Sequence, residues 1–292
     1  MSEHPESPTP AHGDPLQGNP VTPGSQASFG TYRRQPVSFV RRGTRLQGRR
    51  QTAWDEHADA YVVDVPRHVA DTSVHPDFVF DAAAEFGRAA PLVVEIGSGL
   101  GEAIVAAAEA RPEHDFLAVE VYKPGLANTL LRIAQRGLTN VRVVQANAPE
   151  VLGTMLTARS VAELWVFFPD PWHKSKHHKR RLVRDSFADL AARVLAPGGV
   201  WRLATDWSGY AQQLREVVAD SPHFRNAHDG ELAGSPSPLT AAWASGVDCE
   251  ATGEVDEVGG WAPRFEGRVL TSFENKALAA GRVIFDLTAV RG

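Results

Sequence analysis

The sequence predicts an α/β protein built on a mostly parallel sheet with helices on both faces. Three observations predict it. From residue 91 onward, short apolar runs alternate with amphipathic segments. Glycine or proline closes most of these segments. Hydrophobic residues make up 43% of the 292 positions and charged residues 22%, enough for a real core in a chain of this length.

In order, LVVEI (92–96) reads as a first strand, closed by Gly97. GEAIVAAAEAR (101–111) places Ile104, Ala107 and Ala108 on one helical face and stops at Pro112. FLAVEV (116–121) is a second strand, and KPGLANTLLRIAQRG is a helix ending at Gly137. VRVVQA (141–146) is a third strand, and LWVFF (164–168) a fourth, cut off by Pro169 and Pro171. RLVRDSFADLAARVL is an amphipathic helix stopping at APGG (196–199), before a fifth strand VWRLAT (200–205). TSFENKALAAG (271–281) reads as a helix and RVIFDLTAV (282–290) as a final strand. FDAAAEFGR belongs to short helices that lead in over 54–90, and 229–262 reads as a long loop or insertion. Residues 1–30 hold six Pro, four Gly, four Ser and no Lys or Arg, so the expectation is a disordered tail.

Charge is unevenly placed. The net charge is −5, yet 31–50 holds seven Arg and no acid, and 171–184 holds six Lys or Arg and no acid. The other 17 basic residues stand against all 35 acids, leaving the rest of the chain at −18. Two basic strips on an acidic protein point to a polyanion held at one place; the alternative is two solvated faces. Residues 31–53 are therefore read as a basic arm carrying Arg41, Arg42 and Arg45, spaced for backbone phosphates, with SFV as a short strand. One cysteine, Cys249, excludes an internal disulfide framework and favours a reducing, cytoplasmic setting. No signal-peptide pattern opens the chain, and no apolar run approaches membrane-spanning length.

In a parallel sheet, ligands sit beyond the carboxyl ends of the strands. The first strand ends in EIGSGLG (95–101), where Gly97, Gly99 and Gly101 suit a tight turn with close backbone approach to a ligand. The spacing fits neither a strict dinucleotide fingerprint nor a phosphate P-loop. Glu95 precedes the turn, and Glu120 ends the second strand, where an acceptor-only side chain can take both hydroxyls of a ribose. At the third strand end, Asn147 and the amide of Ala148 either address a bound base or merely form a turn before a helix. The fourth ends in FFPDPWHK: two prolines restrict the backbone around Asp170, Trp172 adds a flat face, and Lys174 opens the run Lys176, His177, His178, Lys179, Arg180, Arg181. Phosphate neutralisation beside a stacking surface is what nucleic acid needs. At the fifth strand end, Asp206 is either a second acid for a base or the cap of a following helix. His173, His177 and His178 lack the acids and cysteines that would complete a zinc shell, so no metal is expected.

These residues, above all FFPDPWHKSKHHKRR with EIGSGLG, ATDW and the S-F-V-R-R arm, resemble the bacterial tRNA (guanine-N(7)-)-methyltransferases from about Phe39 to the C-terminus. The resemblance implies a Rossmann-like class I fold with a seven-stranded sheet. It implies that the arm 31–53 binds RNA. It implies a methyltransferase domain over 54–292, S-adenosylmethionine as methyl donor, and nitrogen 7 of a variable-loop guanine in tRNA as acceptor. No obligate protein partner is implied, and monomer and homodimer both stay open. Position by position, Glu95, Glu120 and Asn147 match cofactor contacts, and Asp170 matches a position serving cofactor and catalysis. Lys174 and Asp206 match substrate contacts, Lys176 to Arg181 the RNA-contacting run, and Thr271, Ser272, Phe273 and Glu274 a T-x-F-E substrate motif. Asn147 stands where Asp is frequent, Ser272 where Lys is common, and Ser98 where Phe is frequent. A nicotinamide-dependent oxidoreductase and a non-catalytic RNA-binding protein are the rival readings.

Overall fold

The computed structural model describes residues 45–253 and 255–292. The tail 1–30, the SFV of the arm, and Arg41 and Arg42 lie outside the described residues. Helix α1 (Arg49–Tyr61) runs across the boundary expected at 53/54, with Ala53 buried and Lys123 Nζ 4.2 Å from the centroid of the Trp54 ring. After it, Val62 bridges Val143 in parallel and the Val63 amide donates to the Val143 carbonyl at 2.9 Å. Helix α2 (Ala82–Phe86) is capped by Asp81, whose side chain accepts from the Ala84 amide, and ends at Gly87 in the left-handed conformation.

The expected alternation follows. Strand β1 (Leu92–Ile96) leads to α3 (Glu102–Ala110), β2 (Asp115–Glu120) to α4 (Lys123–Arg136), and β3 (Val141–Gln145) to the short α5 (Ala148–Glu150) and a π-helical turn (Val151–Met155). Strand β4 (Val161–Phe167) is followed by a 3₁₀ helix (Ser175–Arg180) and α6 (Asp185–Val194), then β5 (Leu195–Thr205), α7 (Ser208–Asp220) and β6 (Phe224–Asn226). Helices α8 (Pro238–Ser245) and α9 (Ser272–Ala279) precede β7 (Phe285–Arg291). The strand order is β3-β2-β1-β4-β5-β7-β6, with only β7 antiparallel to its neighbours β5 and β6. This is a Rossmann-like, doubly wound sheet. All five residues of β1 are buried, as a strand covered on both faces requires. Ile104, Ala107 and Ala108 pack into the core with Phe116, Leu126, Leu130, Ile133 and Trp165.

Chain direction across the sheet fixes where a ligand sits. From β1 the chain steps outward through β2 to β3, then returns to place β4 on β1's other side. The crevice at this switch point opens beyond the carboxyl ends of β1 and β4.

Three local differences from the sequence reading have physical reasons. Strand β5 begins at Leu195, so Ala196, Pro197, Gly198 and Gly199 lie inside it, at a register shift against β4. Such an irregularity tolerates a proline and a glycine at φ +77°, so the helix stop doubles as a strand start. Strand β6 has three residues, too few to show a period. The 229–262 stretch is built around a buried acid: Asp256 accepts from Ser237 Oγ (2.6 Å), Trp261 Nε1 (2.7 Å), Arg215 Nη1 (2.9 Å) and the Gly259 amide (3.2 Å). Burial pushes the Asp256 carboxyl up, but these donors outweigh it and hold it down at about 2.

Candidate active site

The turn after β1 is shaped by what it must approach. Gly97, Gly99 and Gly101 all have positive φ, at +75°, +58° and +73°. A Cβ on Gly101 would stand 2.5 Å from Thr129 Oγ1, and one on Gly125 would strike the Gly99 carbonyl, so helix α4 packs directly on the turn. The Glu120 carboxylate braces it: Oε2 accepts from the Gly99 amide at 2.9 Å, and Oε1 from the Val121 and Tyr122 amides at 2.7 and 2.9 Å. Burial raises the Glu120 pKa against these amides, and the charge of Asp170 adds to the rise. Glu95 is buried with Oε2 lacking any hydrogen-bond partner. Burial pushes its carboxyl up to about 8, opposed by the Ile104 amide and reinforced by Glu120. An orphaned buried acceptor beside a turn stripped of side chains fits a ligand that brings a cationic or hydroxylic donor.

The β4 end holds its acid by strain and by ties. Phe168 and Trp172 are non-glycine residues at φ +52° and +48°, bracketing Pro169-Asp170-Pro171. Such conformations persist only where the surroundings over-determine them. The Phe168 amide donates to the Ala204 carbonyl at 2.8 Å, and the Arg268 guanidinium lies 5.1 and 5.5 Å from the Phe167 and Phe168 rings. Arg181 Nε donates to the Pro171 carbonyl at 2.8 Å, while its Nη1 reaches the Gly209 carbonyl and Gln213 Oε1 at 3.0 Å each. At 3% exposure Arg181 is a tie rather than a presented cation, a correction to its place in the RNA-contacting run. Lys174, Lys176, Lys179 and Arg180 are exposed; His177 and His178 are half-buried. Arg180 lies 5.0 Å over the Trp172 ring, with the His177 ring 6.0 Å away. Desolvation and the cations of Arg180, Lys176, Lys174 and Lys179 push the His177 pKa down.

The remaining expected residues divide. Asn147 caps α5, its Oδ1 accepting from the Glu150 amide at 3.1 Å, and its Nδ2 donates to the Thr72 carbonyl at 3.1 Å. Ala148 is buried as the first residue of that helix. Asp206 is ion-paired with Arg282 and does not cap α7; Asp248 does, accepting from the Ser208 amide at 2.6 Å. Thr271 caps α9, accepting from the Glu274 amide at 3.2 Å. Ser272 donates to Glu102 through its amide (2.7 Å) and hydroxyl (2.6 Å), which places the α9 N-terminus beside the first turn of α3. Phe273 is 60% exposed. Glu274 is fully buried and holds two guanidinium groups, those of Arg264 and Arg268, and Arg268 also pairs with Asp286. Arg45 is exposed. Arg264, Arg268, Arg282, Asp248 and Arg181's partner Glu250 carry no sequence signal of their own, because each acts through a partner, 6 to 76 residues away, that only the fold selects.

A family model described as "Putative methyltransferase" matches residues 89–244. The tRNA (guanine-N(7)-)-methyltransferase of Arthrobacter sp. (strain FB24) is 63% identical over 98% of both chains. That of Paenarthrobacter aurescens (strain TC1) is 63% identical over 99% of both. The chain belongs to this family. A tRNA (guanine-N(7)-)-methyltransferase of Cutibacterium acnes (strain DSM 16379 / KPA171202) is 42% identical over 94% of this chain and 90% of its own. Membership makes the protein an S-adenosylmethionine-dependent methyltransferase. Among the described residues no group of three or more His, Cys, Asp or Glu is placed to hold a metal ion. No described helix is long and apolar enough to cross a membrane.

Proposed function

We propose that this chain methylates nitrogen 7 of the guanine at position 46, in the variable loop of tRNA, and works in the cytoplasm. One observation carries the reading: Asp170 stands in a strained, doubly proline-flanked turn between the glycine crevice and an exposed basic helix. S-adenosylmethionine, when bound, supplies an electrophilic methyl group on a sulfonium. Glu95 would accept from its ammonium group, Glu120 from its ribose, and the glycine turn would admit its close approach.

Nitrogen 7 of neutral guanine carries a free lone pair, so no base need remove a proton first. The demands are alignment and stabilisation of the positive charge growing on the ring. Asp170 meets both by accepting from the guanine's ring and amino N–H groups. Its rigid backbone means little reorganisation accompanies reaction. Asp206, neutralised by Arg282, retains less charge for the base, so the electrostatic work falls mainly on Asp170. Lys174, Lys176, Lys179 and Arg180 would neutralise phosphates, and Trp172, steadied by Arg180, offers a face to an unstacked base.

The test is methyl transfer from labelled donor to unmodified tRNA transcript, followed by nucleoside analysis. We expect label in 7-methylguanosine at position 46, and Asp170→Ala to abolish turnover while S-adenosylhomocysteine binding changes only a few-fold. Label in another nucleoside, or near-normal turnover by the variant, overturns the reading.

A further inference from the structure

The segment between α1 and α2 has no regular structure, yet its backbone is densely hydrogen-bonded. Because Val62 and Val63 run parallel along the outer edge of β3, the following residues emerge past that strand's carboxyl end. There residues 66–75 close on themselves, the His75 amide donating to the Pro66 carbonyl at 2.8 Å. Inside the loop, the buried Ser73 hydroxyl accepts from the amides of His68, Val69 and Ala70 at 3.0, 3.1 and 3.1 Å and donates to the Ala70 carbonyl at 2.7 Å. Four ties bind it to the β3 end. Arg67 Nη1 donates to the Gln145 carbonyl (2.6 Å) and to the Ser73 carbonyl (3.0 Å). The Asn147 amide and Nδ2 both donate to the Thr72 carbonyl, at 2.8 and 3.1 Å. Glu150 Oε2 accepts from the Val74 amide at 2.5 Å.

We propose that the loop Pro66–His75 is a preformed wall of the cofactor crevice on its adenosine side, and that Asn147 is a positioning residue that locks this wall. This rests on the crevice assignment made above. With the reacting end at the β1/β4 switch point and the ribose at Glu120 on β2, the nucleoside base extends toward β3, where this loop stands. Asn147 is committed on both side-chain atoms, Oδ1 to the α5 cap and Nδ2 to Thr72. One Nδ2 hydrogen and one Oδ1 lone pair are thereby used, and the loop is held where the donor's base would stand. A wall built before the ligand arrives spares the ordering entropy that binding would otherwise cost. The chain achieves this with one buried hydroxyl that satisfies three amides at once.

Ser73→Ala strips the acceptor from three amides, and Arg67→Ala independently removes the tie to Gln145. Each is tested by calorimetric binding of S-adenosylhomocysteine and of 5′-methylthioadenosine, which lacks the amino-acid end, and by steady-state kinetics. We expect both ligands to lose affinity by the same factor, about tenfold. The donor KM should rise with kcat at saturation and the tRNA KM held within about twofold. Unchanged binding in Arg67→Ala, a loss confined to S-adenosylhomocysteine, or a change confined to the tRNA KM would each overturn the proposal. Should Ser73→Ala fail to fold, Arg67→Ala decides alone. If the wild-type protein binds neither ligand, it is the crevice assignment that fails, an outcome separate from these.

Discussion

Truncating Glu274 to alanine separates a substrate contact from a structural one. The Glu274 carboxylate accepts from Arg264 Nε and Nη2 at 2.7 and 2.9 Å and from Arg268 Nε and Nη2 at 3.2 and 3.1 Å. Arg264 is 43% exposed and returns to water at little cost, whereas Arg268 is fully buried. After truncation Arg268 keeps only Asp286, at 2.5 and 3.0 Å. Breaking a buried ion pair from one side costs about 3–5 kcal/mol; with Asp286 still in place the lower end, about 3 kcal/mol, applies. For a domain of this size that lowers Tm by about 6–12 °C. Burial pushes the Glu274 carboxyl up, but hydrogen bonds from Arg264 and Arg268 win and hold it below the usual range. Its contribution is therefore present above the ordinary carboxylate pKa and lost as pH falls through the depressed folded value. Calorimetry from about pH 7 downward, run beside Glu274→Gln, should show the wild type losing its advantage over both variants on acidification. An unchanged Tm together with a raised tRNA KM would refute the reasoning and return Glu274 to the substrate.

Two further outcomes follow from the site. Glu95, pushed up to about 8, binds its proton in the folded state where the unfolded chain has released it, so stability of the ligand-free protein should decline as pH rises from about 4.5 to 8. Denaturant unfolding at about pH 6 and pH 8.5 checks this; Glu95→Gln should flatten the decline, and an equal decline in the variant would place the titration elsewhere. Alanine at Lys176, Lys179 and Arg180 should raise the tRNA KM and reduce the salt slope of binding by about 0.7 for each phosphate left without its cation. Arg181→Ala, by contrast, should lower Tm, and a normal Tm with a reduced salt slope would make Arg181 an RNA contact after all.

Strand ends are legible because their signals are local. The apolar run of β1, the glycines after it and the prolines around Asp170 each restrict neighbouring residues, so Glu95, Gly97, Gly99, Gly101, Glu120 and Asp170 stand at strand termini as expected. The same locality explains where the expectations depart from the fold. Arg181 looks like its exposed neighbours until α7 and Glu250 close over it. APGG reads as a stop because a tolerated register shift leaves no mark in composition.

By itself the sequence determined the alternation of elements, the strand ends at which a ligand would sit, and the family whose motifs it carries. Only the tertiary structure decided which polar groups are spent on one another: Arg268 on Asp286, Asp206 on Arg282, Asp248 on the α7 amide, Asn147 on Thr72. Hydrophobic period and turn chemistry act between neighbours along the chain and are written there. The pairing of buried charges and donors depends on which distant segments the fold brings within hydrogen-bond reach, and no local pattern records that distance.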